Sequence, residues 1–143
     1  MTSLAEGASD LLIAAGVGNI ATHATWPIHV FMMPNDPDNA IAVKDTGGPG
    51  DDPRWLLDFS RLQVMVRGSQ NGYQATFQKA KDIKDVLLGL PSQDLNGDRW
   101  VSVTSGGGIL PLGTDEIKRP LISINFQLII EPGTSALTNR DPL

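Results

Sequence analysis

The sequence predicts an α+β domain in which a mostly antiparallel sheet carries two main helices packed on one face. Three observations lead there. The stretches from Leu4 to Ala15 and from Tyr73 to Leu87 repeat apolar residues at helical spacing. Around Leu62–Val66 and Ile122–Ile130, apolar and polar residues alternate with the period of a half-buried strand. The elements follow in the order helix, hairpin, strand, helix, strand, long strand, which suits two layers around one core. At 143 residues the chain is expected to form a single domain over 1–143, with a loose tail from about residue 132.

Each element has a local reason. Ser3, followed three residues later by Glu6, reads as a capping box. Leu4, Ala8, Leu11, Leu12 and Ala15 then form an apolar stripe that Gly16 and Gly18 end. After a small polar loop, Ile28, Val30 and Met32 alternate with His29 and Phe31 behind Pro27, the mark of a strand. The turn-rich stretch Pro34 to Asn39 precedes a second short strand, Ala40 to Lys44, so the pair is expected to be a hairpin. Asp45 to Pro53 has no apolar side chain to bury and reads as a long exposed loop.

Leu62, Val64 and Val66 define the next strand, closed by Gly68. Asn71 is positioned to cap the second helix, whose stripe is Tyr73, Phe77, Ala80, Ile83 and Leu87, with Gly89 and Pro91 stopping it. Asp94 to Asp98 turns the chain into a strand from Trp100 to Thr104, with Val101 and Val103 on one side, and Gly106–Gly108 breaks it. The last element, Ile122 to Ile130, reads as a central antiparallel strand with one buried face, ended by Pro132 and Gly133.

Composition narrows the chemistry. Eleven Lys and Arg against 16 Asp and Glu give a net charge of −5, with no basic run to hold nucleic acid by its phosphates. The absence of Cys excludes disulfides, thiol nucleophiles and Cys-type zinc sites. No apolar run approaches the ~20 residues of a membrane span, and the first residues lack the basic and apolar regions of a signal peptide, so neither is expected. Asp94-Leu95-Asn96-Gly97-Asp98 has calcium-loop oxygen spacing, but Arg99 and Ser105 stand where a Gly and a Glu are required, so Asn96-Gly97 is read as a turn pair.

Other candidates are weaker still. The glycine clusters Gly47-Gly48-Pro49-Gly50 and Gly106–Gly108 lack the Lys and helix start of a phosphate cradle. His23 and His29 have no third ligand in a motif, and no Ser sits in a nucleophile elbow. The adjacent acids Asp51-Asp52 and Asp115-Glu116 fall in loops, where carboxylates stay solvated. No cofactor, metal or catalytic group is expected, and the chain reads as non-enzymatic. Trp26, Trp55 and Trp100 lie at element edges and arginines are scattered, a pattern suited to protein–protein contact.

Taken in order, several segments carry a likeness: Leu11-Leu12 ending in Gly16-Val17-Gly18; Asp52-Pro53-Arg54 before Val64-Met65-Val66-Arg67-Gly68; the helix around Tyr73 and Ala80; and Leu112-Gly113-Thr114-Asp115-Glu116 with Arg119 and Ile124-Asn125-Phe126. Together, over Ala8 to Glu131, they resemble a bacteriophage minor capsid family similar to the tail-terminator (tail completion) proteins of long-tailed phages. The resemblance implies a structural virion protein that assembles as a ring, typically a hexamer, at the head-proximal end of the tail tube. Such a ring stops tube growth and meets head-completion or connector proteins in the neck. Genomic DNA passes through its lumen as cargo, and no membrane is involved. Assembly would take place in the host cytoplasm.

The long loops Asp45–Pro53 and Ser105–Glu116 are the expected contact segments. In the first, the candidates are Asp45, Gly47, Gly48, Gly50, Asp51 and Asp52, with Arg54 and Trp55 just beyond. Gly107, Asp115 and Glu116 come from the second, and Arg67 and Arg119 are candidates for ionic or interface pairing. Alternatives are another neck or tail component, such as a head-completion protein or tail-tube subunit, and a small-ligand binding domain.

Overall fold

A computed structural model describes residues 3–134 and 136–140. Ser3 Oγ accepts the Glu6 N–H at 3.2 Å and starts helix α1, Leu4–Ala14, whose Ala5, Ala8 and Leu12 are buried. Strand β1, Ile28–Val30, is followed by β2, Ala40–Gly47, and β3, Asp58–Arg67. Helix α2 spans Tyr73–Leu87, and β4 (Gln93–Leu95), β5 (Asp98–Ser105), β6 (Leu110–Thr114) and β7 (Pro120–Glu131) complete the fold. The sheet has the order β1-β2-β3-β7-β5-β4, and β6 also pairs with β7.

β7 is central, as its long alternation implies. It pairs antiparallel with β3 along one edge and with β5 and then β6 along the other. Leu62, Val64 and Val66 share a buried face with Ile122, Ile124, Phe126, Leu128 and Ile130. Both helices lie on that face, contributing Ala5, Ala8 and Leu12 from α1 and Ala80, Ile83 and Leu87 from α2 to one core. Over the opposite face, with Arg61 paired to Gln127 and Gln63 to Asn125, no helix lies among the described residues.

Several local expectations change. β1 and β2 are parallel, with Ile28 beside Ile41 and Val30 beside Val43, so they are not a hairpin. Phe31 has φ 81, which ends β1 at Val30 and leaves Phe31 and Met32 about 70% and 68% exposed. Arginine side chains then hold the connecting segment 31–39 instead of a tight turn: Arg67 donates to the carbonyls of Pro37 and Asp38, and Arg119 to that of Asn35. The chain is thereby carried around to enter β2 in the same direction as β1.

The loop expected from Asp45 is shorter, because β2 continues to Gly47 with a bulge after Asp45. Gly72, not Asn71, caps α2; Tyr73 stands exposed at its start and Thr76 takes a buried place in the stripe. In β5 a register shift between Trp100 and Ser102 puts Trp100 and Val103 into the core and turns Val101 outward. Asn96 and Gly97, both at positive φ, close the β4–β5 hairpin as a two-residue turn.

Gly68 is required by packing, not by a turn conformation. A Cβ at that position would run into Thr76 Oγ1, the hydroxyl that donates to Gly72 O in the first turn of α2. Gly68→Ala is expected to lose about 1–2 kcal/mol by overpacking. Thermal unfolding of Gly68→Ala with and without Thr76→Ala checks this: the second substitution should recover part of the loss.

Candidate assembly interface

The first expected contact segment leaves the sheet at Gly47 and returns at Asp58. Its base is fixed. Asp45 accepts the Ala5 N–H at 3.2 Å, tying β2 to the start of α1. Burial raises its carboxyl above the usual range while that N–H works in the other direction. Gly48, at φ 141, lies so close to β3 that a Cβ would meet the Phe59 carbonyl. Beyond it, Gly50, Asp51, Asp52 and Arg54 are exposed.

Asp52 Oδ1 accepts the Arg54 N–H at 2.8 Å and tightens the bend that follows. There the chain sends two large neighbours in opposite directions. Leu56 is 5% exposed and anchors the loop, whereas Trp55 is 55% exposed. An indole held outward on an anchored loop is the type of side chain that dominates protein interfaces. Burial and the nearby Asp58 carboxylate push the Asp51 carboxyl up.

Arg67 and Arg119 occupy a different environment. They are 4% and 6% exposed, and their donors are used within the chain. Arg119 Nε bonds Asp115 Oδ2 at 2.7 Å and Nη1 bonds Asn35 O at 2.7 Å, with Asp38 Oδ1 at 3.3 Å. Arg67 Nη2 bonds Pro37 O at 2.8 Å and Nε bonds Asp38 O at 3.0 Å. Burial, reinforced by the neighbouring Arg119, lowers the Arg67 pKa. The two guanidiniums thus staple segment 31–39 across the ends of β3 and β7.

Asp115 completes this staple. Burial acts to raise its pKa, but N–H donors from Arg119 and Ile117 and the Arg119 charge outweigh it and hold the carboxyl below its usual range. Glu116 is exposed beside it. A hollow of about 590 Å³ is lined by Asp36, Asp115 and Glu116 as well as both arginines, so it is not an anion cradle.

Half of the second expected loop is strand. β6 lies inside it and was missed because Pro111 and Gly113 interrupt the alternation. All five of its residues are exposed, and Leu110, Leu112 and nearby Ile117 present apolar surface. Gly107 sits at the tip before β6 at φ 145, its N–H donating to Ser105 Oγ. Trp55 is far from this hairpin in the chain's pairing scheme, so the two expected segments do not form one continuous cluster through sheet hydrogen bonds.

Arg140 is a residue that sequence reasoning did not single out. It bonds Asp52 O and Trp55 O and pairs with Asp58 at 2.8 Å. Nothing in the local pattern around Arg140 marks it, since its partners lie more than 80 positions earlier. Ser135 and residues 141–143 of the expected tail lie outside the described residues. No cluster of three or more metal-ligating side chains occurs among the described residues, and no described helix is long and apolar enough to cross a membrane.

Residues 11–132 match the family described as Bacteriophage tail terminator protein. The chain belongs to that family. The tail terminator match covers the end of α1 with Leu12, the whole of α2, the whole sheet and the exposed Trp55 loop. A chain from a solved structure titled "Virion of native gene transfer agent (GTA) particle" has the same fold, with a TM-score of 0.62, 17% identity, and coverage of 90% of this chain and 95% of that one. No curated protein matches the sequence. This tail terminator is therefore a structural virion protein of the phage tail, with a fold also used in another virion-like particle.

Proposed function

We propose that this tail terminator forms a homomeric ring, a hexamer, on the head-proximal end of the tail tube. There it ends tube growth and joins the tail to head-completion or connector proteins. The family match over residues 11–132 is the observation that carries this reading. A subunit of this length has a radius of gyration of roughly 14–15 Å, hence a width of roughly 37 Å as a sphere. Six such bodies in a closed ring leave a hole about as wide as one subunit, enough for a DNA duplex to pass as cargo. The net charge of −5 suits passage of DNA without retention.

The contact segments in this reading are the loop carrying Gly48, Gly50, Asp51, Asp52, Arg54 and Trp55, and the β6–β7 region with Gly107 and Glu116. The loop offers an exposed Trp beside an Arg, and the strand offers Leu110 and Leu112. Asp45 acts from beneath by fixing the base of the loop, and Arg119 with Asp115 by fixing the β6–β7 turn, while Arg67 holds the neighbouring segment 31–39.

Electron microscopy of tails assembled with and without the protein tests the proposal. Tubes of regulated length with one end ring, seen only when the protein is present, are the expected outcome. Subunits spread along the tube would instead make it a tube protein. Trp55→Ala is expected to leave thermal unfolding unchanged while end rings become rare. Undiminished rings in that variant would remove the loop from the interface.

A further inference from the structure

Beyond β7 the described residues are tied to the rest of the fold at Gly133 and at Arg140. The Gly133 N–H donates to Asp98 Oδ1 at 2.8 Å, and Gly133 packs so tightly on the Asn96-Gly97 turn that a Cβ would meet the Gly97 carbonyl. Farther on, one guanidinium meets the Trp55 loop at three places. Arg140 Nε donates to Asp52 O at 3.2 Å, Nη2 donates to Trp55 O, and Nη2 lies 2.8 Å from Asp58 Oδ1.

That Asp58 oxygen is buried and has no aligned hydrogen-bond donor among the described residues, so the ion pair with Arg140 is its compensation. The surroundings strengthen the need for a cation. Asp51 and Asp52 add to the attraction on Arg140, and Asp45 and Asp98 share the hollow beside Asp58, where Arg61 is the other charge. Both partners are sheltered, with side chains 22% and 19% exposed, so water screens the pair less than it would a surface bridge.

We propose that the described residues after β7, 132–134 and 136–140, act as a strap with Arg140 as its latch, holding loop 48–57 in the conformation that turns Trp55 outward. The guanidinium grips the loop at Asp52 and at Trp55 itself and reaches Asp58 at the start of β3, so opening the latch releases all three contacts at once. A lysine replaces it only in part, because a single ammonium lacks the planar fork that reaches separate acceptors together. The strap acts within one subunit. That the presented loop meets a neighbour rests on the proposed function above.

Limited trypsin digestion of the full chain, read by mass spectrometry, tests the latch through the bond after Arg54. Arg140→Ala is expected to speed that cut by roughly fivefold, the scale of a sheltered ion pair with charged hydrogen bonds. Cleavage after Lys81 and Lys84 in α2 should not change. Arg140→Lys should fall between, and Asp58→Asn should also speed the cut at Arg54. An unchanged rate at Arg54 in both Arg140→Ala and Asp58→Asn overturns the proposal. So does equal acceleration at α2 in both, which would make the contact part of global stability. If Arg140→Ala frees the loop but Trp55→Ala leaves end rings intact, the strap stands and the docking role of the loop fails.

Discussion

Phe126→Ala is expected to destabilise the domain by about 3–5 kcal/mol. Phe126 is 1% exposed and stands in the middle of β7, with Leu62 beside it on β3 and Ser105 on β5. It faces the layer formed by both helices, so truncation removes buried ring surface and leaves a cavity that neighbouring strands cannot close. A domain of ordinary stability holds only about 5–15 kcal/mol, so a large share of the total is at stake. Guanidinium titration of variant and parent gives the answer: the midpoint should fall with little change in slope. Coincident curves would mean that Phe126 does not pack in the core.

Arg119→Ala is expected to have the next largest effect, about 2–3 kcal/mol. The loss goes beyond one ion pair. Without the guanidinium, Asn35 O loses a donor and Asp115 loses its 2.7 Å partner, while Arg67 and the Ser69–Asn39 bond still hold segment 31–39. Asp38 is half-exposed and can turn to water, which keeps the cost below that of breaking a fully buried pair.

Acid should act on the same contact. Because the Asp115 carboxyl is held below its usual range in the fold, its contribution is present above the unfolded value and lost as pH falls below about 4, through the folded one. Chemical denaturation at neutral pH and in acid checks both statements. The gap between Arg119→Ala and the parent should narrow in acid. A constant gap would show that the hydrogen bonds to backbone carbonyls, and not the Asp115 charge, carry the effect.

The candidate surface was only partly legible beforehand. Exposure of Gly50, Asp51, Asp52, Arg54 and Trp55 follows from a stretch with little apolar material to bury, and composition alone reveals that. The sequence offers Arg67 and Arg119 for ionic or interface pairing without saying which, and in the fold they are buried staples. β6 was hidden for the opposite reason: its pairing to β7 overrides a local pattern that Pro111 and Gly113 make unfavourable for a strand.

The sequence by itself determined the two helices, the buried face of β3 and β7, the central place of β7 and the Asn96-Gly97 turn. Each depends on periodicity or on a φ preference that a few adjacent residues carry. The order and spacing of weaker motifs also pointed to the tail terminator family. Only the tertiary structure decided the parallel pairing of β1 with β2, the bulge that sends Trp100 inward and Val101 outward, and the latch at Arg140. These depend on partners far apart in the chain: Arg119 meets Asn35 across 84 positions, and Arg140 meets Asp52 across 88. A short window of sequence contains one side of such a contact, and the energy that fixes the conformation exists only when both sides are in place.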